Sequence, residues 1–308
     1  MQIETALAHI AAEAALATVP YLRGATRSDM SLSTKKNFHD PVTIHDRAVE
    51  AALLHIFSQA VPHSLAVGEE NGDATLDPAT YPERPDVTSL PATTRFTEAA
   101  ATCRDLGPRV RWFIDPIDGT ANFAAGLPWF ATSIGVELDG SIVAGAITAP
   151  LLGALWAADH HNAWYEGPEG RRTLNAQGPR TAKESVLIAY HGGNETLKRD
   201  LETTAAQELR LHSTHMSVRR TGAGALDLAH VAAGWVGGML GACFGPWDVA
   251  AGIHLVRVAG GTVLNENIAG DLPDGLRPAV LASCAGLDLS DAREVFYEVV
   301  AAHRDRVK

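Results

Sequence analysis

Cysteine is scarce in this 308-residue chain: Cys103, Cys243 and Cys284 are its three, widely spaced and odd in number. That pattern argues against a disulfide framework or a thiolate zinc site and leaves the three as packing residues. Positive charge is also short, with 25 Lys and Arg against 36 Asp and Glu and a formal net charge of -11. Such a balance speaks against non-specific attachment to nucleic acid or acidic membranes, so an anionic ligand has to be drawn by a local feature. No apolar run is read as long enough for a membrane span. The stretch from Met1 to Val19, Ala-rich with Glu4 and Glu13, reads as an amphipathic helix rather than a signal peptide, which makes the cytoplasm the expected location. The thirteen histidines show no metalloprotease spacing: His160 and His161 fall in a loop, and His254 falls inside a core-patterned helix. Glycines 234–245 lack the strand and helix context of a dinucleotide fingerprint. With 46% hydrophobic residues, no internal repeat and no Ser/Gly linker, the chain can bury a large core in one domain or in two tightly joined halves.

What the chain does have is acid at the ends of apolar segments. Val110, Trp112, Phe113 and Ile114 form a short β-prone run, after which Asp115, Pro116, Ile117, Asp118, Gly119 and Thr120 follow in order. Pro116 fixes its own φ, and Gly119 permits close backbone approach, so Asp115 and Asp118 can converge with the Ile117 carbonyl between them. Hard oxygen donors of this kind suit Mg²⁺ or Mn²⁺ rather than zinc. The same letters also make an ordinary turn. Glu69 and Glu70 follow a second apolar segment, Ser64 to Val67, and Asp248 opens a helix-patterned run, where an N-cap role is equally at home. Asp46 stands three residues after Thr43, with Val49, Leu53, Ile56 and Phe57 at helical spacing, and spacing alone makes it a capping-box acid as readily as a catalytic one.

Taken together, WFIDPIDGTANF, GEE and PWDVAAG, with Asp46 in DPVTIHDRAVEAAL, resemble the inositol monophosphatase family of Mg²⁺-dependent, lithium-sensitive phosphatases. The resemblance runs from about Lys35 to Gly261. It implies a mixed α and β fold, the layered αβαβα sandwich of the inositol monophosphatase and fructose-1,6-bisphosphatase type. It makes Glu69, Asp115, the carbonyl of Ile117, Asp118 and Asp248 the expected metal ligands for two or three Mg²⁺ ions, with Mn²⁺ an alternative. Gly119 and Thr120 are expected to bind phosphate, and Asp46, Glu69 and Thr120 to orient and deprotonate water. Glu70 is an alternative acid, either beside the ligands or at the surface. Clustered carboxylates facing a phosphomonoester dianion repel it until cations intervene, so the implied chemistry is metal-assisted, in-line attack by water on a small phosphorylated metabolite.

The family also sets expectations for substrate and assembly. Gly222, Ala223 and Gly224 match a helix start that lies beside the substrate, where exposed amides suit a hydroxylated or anionic group. Arg219 and Arg220, just ahead, either reach a second phosphate or remain a solvated pair. Seven residues before Asp248, where inositol-selective members carry a glutamate that reads ring hydroxyls, this chain has Gly241. An inositol monophosphate heads the expected esters, followed by histidinol phosphate, a sugar phosphate and 3′-phosphoadenosine 5′-phosphate. The rival reading is a regulatory binding protein of a bacterial transcription complex. A homodimer is the family expectation, with no membrane and no nucleic-acid partner.

Along the chain, the expected division is an N-terminal half, 1–148, carrying most ligands, and a C-terminal half, 149–308, carrying Asp248 and the substrate contacts. A polar loop from Arg23 to Asp40 contains Lys35 and Lys36. The segment 71–111 holds five prolines and reads as a surface excursion with a short helix within Thr93 to Leu106. Asp139-Gly140 between two alternating segments predicts a tight hairpin, which Leu155 to Ala158 and Ala163 to Tyr165 extend into a meander. Beyond residue 180, strands at Val186 to Tyr190, Gly261 to Leu264 and Ala279 to Ala282 alternate with helices around Glu195 to Leu209, at Ala223 to Ala233, after Asp248 and at the end.

Overall fold

The computed structural model describes residues 1–25, 33–34, 41–190, 200–267 and 278–307. Lys35, Lys36 and Glu195 lie outside these residues. In the first part of the chain the elements are α1 (Ile3–Gly24), β1 (Ser33–Thr34), β2 (Pro41–Val42), α2 (Ile44–Ala60), β3 (Leu65–Gly68), β4 (Gly72–Thr75), α3 (Thr94–Cys103), β5 (Val110–Asp118), α4 (Thr120–Ala125), β6 (Ala131–Leu138), β7 (Ser141–Ala149), β8 (Ala154–Ala158), β9 (Ala163–Gly167) and β10 (Gly170–Thr173). There follow β11 (Val186–Ala189), α5 (Leu201–Thr214), β12 (Ser217–Arg219), α6 (Gly224–Ala232), β13 (Gly238–Gly241), α7 (Pro246–Val258), β14 (Thr262–Asn267), β15 (Pro278–Ser283) and α8 (Ser290–Val307).

Two sheets organise the molecule. The larger has eight strands in the order β10-β9-β8-β7-β6-β5-β3-β4, with only β3 and β5 parallel. The smaller has five, in the order β12-β11-β13-β15-β14. Helices α1 and α2 cover one face of the large sheet, α6 and α7 fill the space between the sheets, and α5 and α8 close the outer face of the small one. This is the layered αβαβα arrangement. The division expected at 148/149 falls inside the large sheet, at the end of β7, because β8 to β10 continue the antiparallel meander through short turns. The change of sheet comes between Thr173 and Val186.

Local chemistry explains the frame. At the β6–β7 hairpin Asp139 and Gly140 both have positive φ, 51° and 82°, the combination a type I′ turn requires. Thr43 caps α2: its Oγ1 accepts the His45 N–H at 3.1 Å, while its own N–H donates to Asp46 Oδ2 at 2.8 Å. Helix α1, 22 residues long, is apolar enough by length and composition to cross a membrane, which corrects the expectation that no such run exists. Here it is a core helix, with Ala6, Leu7, Ala8, Ile10, Ala11, Ala12 and Leu22 buried where it packs on β6, β7 and α3.

Segment 71–111 is more than a surface excursion. Its prolines lie in irregular chain, but α3 buries Phe96, Ala99 and Cys103 against α1, and Thr93 donates to Glu13 at 3.0 Å. Of the three cysteines, Cys103 and Cys284 are packing residues, whereas Cys243 is exposed with a φ of 67°.

The seat of α7 on the large sheet is made by two glycines. Gly135 and Gly145 face each other across β6 and β7. A Cβ at Gly135 would stand 2.7 Å from Ala250 Cβ, and one at Gly145 would stand 2.9 Å from Ala251 Cα, so the helix rests almost directly on the strand backbone. On its other side Gly252 admits Leu228 of α6, whose Cβ would be 2.5 Å from an added methyl. Filling this contact leaves side chains no room to move into. Gly145→Val is expected to lower unfolding free energy by ~2 kcal/mol or more through overpacking. Gly170→Ala, at an open turn position with φ of 99°, is expected to cost ~1–2 kcal/mol from its left-handed backbone alone. Urea unfolding of the two variants checks the order.

Candidate active site

Strand β5 delivers the acids. It pairs with β6 in regular register from Val110↔Leu138 to Asp115↔Ser133, then slips so that Asp118 faces Ala131. Pro116 has no N–H to give the ladder, and the irregularity sits where a strand tolerates proline. The Pro116 carbonyl is taken up by the Thr132 hydroxyl at 2.9 Å, and Ile117 N–H donates to Asp115 Oδ1 at 3.0 Å. Gly119 then turns the chain with φ of 87°. A Cβ there would stand 3.0 Å from the carbonyls of both Gly222 and Trp129, so only glycine fits between the two halves of the site.

Thr120 opens α4 and directs its hydroxyl at Asp46 Oδ1, 3.0 Å away, with the Ile117 carbonyl also at 3.0 Å. Asp46 is thus held at both oxygens: Oδ2 closes the capping box of α2, and Oδ1 accepts from Thr120. Glu69 is set beside the end of β5 by its own N–H, which donates to the Ile114 carbonyl at 3.1 Å. The turn it belongs to is held by Glu50, buried, whose carboxylate accepts the N–H groups of Glu70 and Asn71 at 2.9 Å each and the Asn71 amide at 2.7 Å. An added Cβ at Gly68 would fall 2.4 Å from Glu50 Oε1, so the glycine makes space for this carboxylate.

Asp118 crosses to the other half. Its oxygens accept the N–H groups of Gly224 at 3.0 Å, Ala225 at 2.8 Å and Leu226 at 3.3 Å, capping the start of α6. Asp248, the third residue of α7, accepts the Gly245 N–H at 2.7 Å. The expected substrate-side turn is thus occupied from within: the Tyr190 hydroxyl accepts from Gly222 at 2.8 Å and Ala223 at 3.3 Å, and Gly224 is bound to Asp118. Arg219, exposed, folds back on Ser217 and on the Val218 carbonyl, while Arg220 stands over the Tyr190 ring.

Electrostatics show that these acids share one field. Asp115 and Asp118 are almost fully buried. The carboxyl of Asp115 is pushed well above the usual range first by burial and then by Glu69, Asp118 and Asp248; that of Asp118 first by burial and then by Asp248 and Asp227. Burial raises Asp46 too, with a smaller push from Glu69. Among the described residues no three acid, histidine or cysteine side chains are aimed at a single point as a ready cage for an ion. The hydrogen bonds give the reason, since Asp115, Asp118 and Asp248 are each turned towards backbone amides. The donor chemistry nevertheless fits a hard cation, being carboxylate and carbonyl oxygen crowded in a buried place where positive charge would relieve the repulsion.

Three residues that the sequence reading did not single out prove central. Besides Glu50, these are Asn122, whose amide donates to the carbonyls of Trp129 at 2.6 Å and Thr221 at 2.8 Å, and Asp227, which is buried and accepts from Tyr190, Thr221 and Trp129 Nε1. The Thr221 and Tyr190 hydroxyl oxygens lie 2.7 Å apart on the same carboxylate. The only signal for Asp227 was an acid inside an otherwise apolar helical run.

This fold is the layered αβαβα sandwich of the inositol monophosphatase type. The chain superposes on an extragenic suppressor protein suhB from Bartonella henselae with a TM-score of 0.68, at 24% identity and covering 97% of each chain. On the inositol monophosphatase of Anabaena the TM-score is 0.60, at 26% identity over 95% of this chain and 93% of that one. The family model for the inositol monophosphatase family matches residues 2–303, and the chain belongs to that family. An inositol-1-monophosphatase of Mesorhizobium japonicum is 38% identical over 165 residues, 53% of this chain, which spans 60% of that relative's length. The Nus factor SuhB of Escherichia coli is 31% identical over 270 residues, 84% of this chain and 88% of its own.

Burial lifts the carboxyl of Asp227 to about 6, well above the usual carboxylate range. A raised folded value means that its contribution to stability is fully present below the unfolded value and is lost as pH rises through about 6. Between pH 5 and 8 this amounts to ~1 kcal/mol. Asp227→Asn abolishes the titration, so the stability gap between wild type and variant is expected to shift by that amount in the variant's favour at pH 8. Urea unfolding at the two pH values checks it.

Proposed function

We propose that the chain is a metal-dependent phosphomonoesterase acting on a small phosphorylated metabolite by in-line attack of water, with inositol monophosphatase-like chemistry. The observation that carries this reading is Asp46, whose one carboxylate oxygen is locked in the helix cap while the other holds the Thr120 hydroxyl at the mouth of the acid cluster.

Glu69, Asp115, the Ile117 carbonyl, Asp118 and Asp248 would hold Mg²⁺. When bound, such an ion supplies charge neutralisation and a water of lowered pKa. The chain's own residues do the rest. Thr120 Oγ1 orients the attacking water, and Asp46 Oδ1 receives the proton passed through that hydroxyl, a geometry typical of a positioned general base. The backbone N–H groups of Gly119 and Thr120, at the start of α4, face the phosphate oxygens, where fixed donors cost no reorganisation as charge develops. The burial of Asp115 and Asp118 excludes competing water.

A second reading is favoured by the Escherichia coli relative named as a Nus factor, which aligns over most of this chain. On that reading the chain acts as a partner in a transcription complex. The buried, mutually repelling carboxylates favour the enzyme, because a pure binding surface has no use for them.

Phosphate release from a panel of metabolite phosphates, with and without Mg²⁺, tests the proposal. Thr120→Val is expected to lower kcat ~100-fold while costing only ~1–3 kcal/mol of stability from the lost hydrogen bonds to Asp46 and Ile117, and EDTA to abolish turnover until Mg²⁺ is restored. Full activity in the chelated protein would overturn the metal dependence, and co-purification with transcription machinery with no hydrolysis of any ester would reverse the ranking.

A further inference from the structure

Helix α7 brings Asp248 to the acids from outside the large sheet, and its place along the strands has to be fixed. The glycines beneath it do not fix it. Gly135 and Gly145 let the helix rest on strand backbone at Ala250 and Ala251, a contact that sets its height above the sheet but, being non-directional, neither its slide nor its rotation. Hydrogen bonds supply direction at two points. In the first turn the Ser133 hydroxyl donates to the Trp247 carbonyl at 3.3 Å. Two turns further on, His254 Nε2 meets the Asp159 carbonyl at 2.9 Å.

The first of these ties bears on the acids. Ser133 is fully buried and is the residue of β6 that pairs with Asp115, so the two side chains stand on one face of the sheet as cross-strand neighbours. Gly135, two residues along, puts that same face under α7. Ser133 is therefore joined through its strand to Asp115 and through its hydroxyl to the peptide unit that leads into Asp248. A carbonyl has two lone pairs, so Trp247 can take this bond and still serve the helix. Within that turn Asp248 is aimed by the Gly245 N–H at 2.7 Å, and Ser133 places the turn as a whole. Its neighbour Thr132, on the opposite face of β6, does corresponding work for β5, donating to the Pro116 carbonyl at 2.9 Å between Asp115 and Asp118. Consecutive residues of one strand thus hold the chain beside expected ligands from both halves.

Such a tie matters because the carboxylates it relates oppose each other; Asp248 is among the charges that raise Asp115. Oxygens sharing a small hard cation must each come within about 2.0–2.1 Å of it, which repelling groups on separately mounted elements do not reach unaided. We propose, resting on the reading of these acids as the metal site of a phosphomonoesterase, that Ser133 is a positioning residue: through the Trp247 carbonyl it holds Asp248 at the spacing from Asp115 that a shared divalent cation needs.

The test is calorimetric titration of Mn²⁺ into the metal-stripped full chain, for wild type, Ser133→Ala and Ser185→Ala. Ser185 is also fully buried and donates to a carbonyl, that of Ala182 at 2.9 Å, away from the acids, so its loss reports what removing such a bond does to stability alone. Ser133→Ala is expected to raise the Mn²⁺ dissociation constant about ten-fold, whereas Ser185→Ala leaves it within about two-fold, with similar urea midpoints in the two variants. Ser133→Cys, which keeps a weaker donor in the same place, is expected to lose less than Ser133→Ala. In turnover, the Mg²⁺ concentration for half-maximal phosphate release is expected to rise by the same factor in Ser133→Ala, while kcat at saturating Mg²⁺ changes by less than about three-fold. Unchanged Mn²⁺ affinity in Ser133→Ala, or an equal loss in Ser185→Ala, overturns the proposal and leaves the phosphatase reading standing. Wild type that binds Mn²⁺ but hydrolyses no ester overturns the phosphatase reading alone, and wild type that binds no Mn²⁺ overturns both.

Discussion

Three N–H groups at the start of α6 converge on the carboxylate of Asp118, and on that contact the two halves of the molecule depend. Asp118 arrives from the end of a strand in the large sheet, while α6 lies between the sheets. A helix N-terminus carries partial positive charge, and a buried carboxylate needs it. The contact therefore satisfies donors that α6 would otherwise leave unpaired and stabilises an anion in a place where burial and its neighbours push it towards the neutral form. Gly119 and Asn122 complete the same seam, the first by lying within a methyl's width of Gly222 and the second by bridging Trp129 and Thr221. A centre of acid cannot be assembled by attraction among its members. Here backbone amides hold the carboxylates of Asp115, Asp118 and Asp248, and the sum is a cluster whose internal repulsion is balanced by the fold.

That division of labour decides what could be read from the sequence. The strand-end acids, the hairpin at Asp139-Gly140, the cap at Thr43 and the helix opened by Asp248 were legible because each is a short-range statement: an apolar run and the residue after it, two positive-φ positions, an acid three residues from its cap. The family resemblance assembled the distant acids into one list. Glu50, Asn122 and Asp227 were not legible, because each also binds a partner 20 or more residues away along the chain, and a Glu in a helix or an Asp in an apolar stretch carries no local mark of such a partner. The excursion 71–111 was misjudged for a related reason. Its prolines announce irregular chain, but nothing local tells that α3 will be pressed onto α1.

Glycine does in packing what the amides do in electrostatics. Gly135 and Gly145 set α7 onto the large sheet, Gly252 sets it against α6, and Gly68 makes room for Glu50. Each removes a side chain so that a neighbour can come closer, and each neighbour bears on an acid: α7 carries Asp248, α6 receives Asp118, and Glu50 holds the turn of Glu69. The placement of carboxylates by backbone contact, rather than by long side chains reaching inward, makes the site stiff.

The double use of Asp46 has a consequence for how such chains can diverge. Because its aim is fixed by Thr43, three residues away on the same helix end, the acid travels with α2 as a single piece. The chain ahead of Thr43 can lengthen, shorten or change composition without redirecting the carboxylate, whereas one residue inserted between Thr43 and Asp46 would rotate it by about 100° around the helix axis. Variation in this lineage is thus expected to accumulate before the cap and to stop abruptly at it.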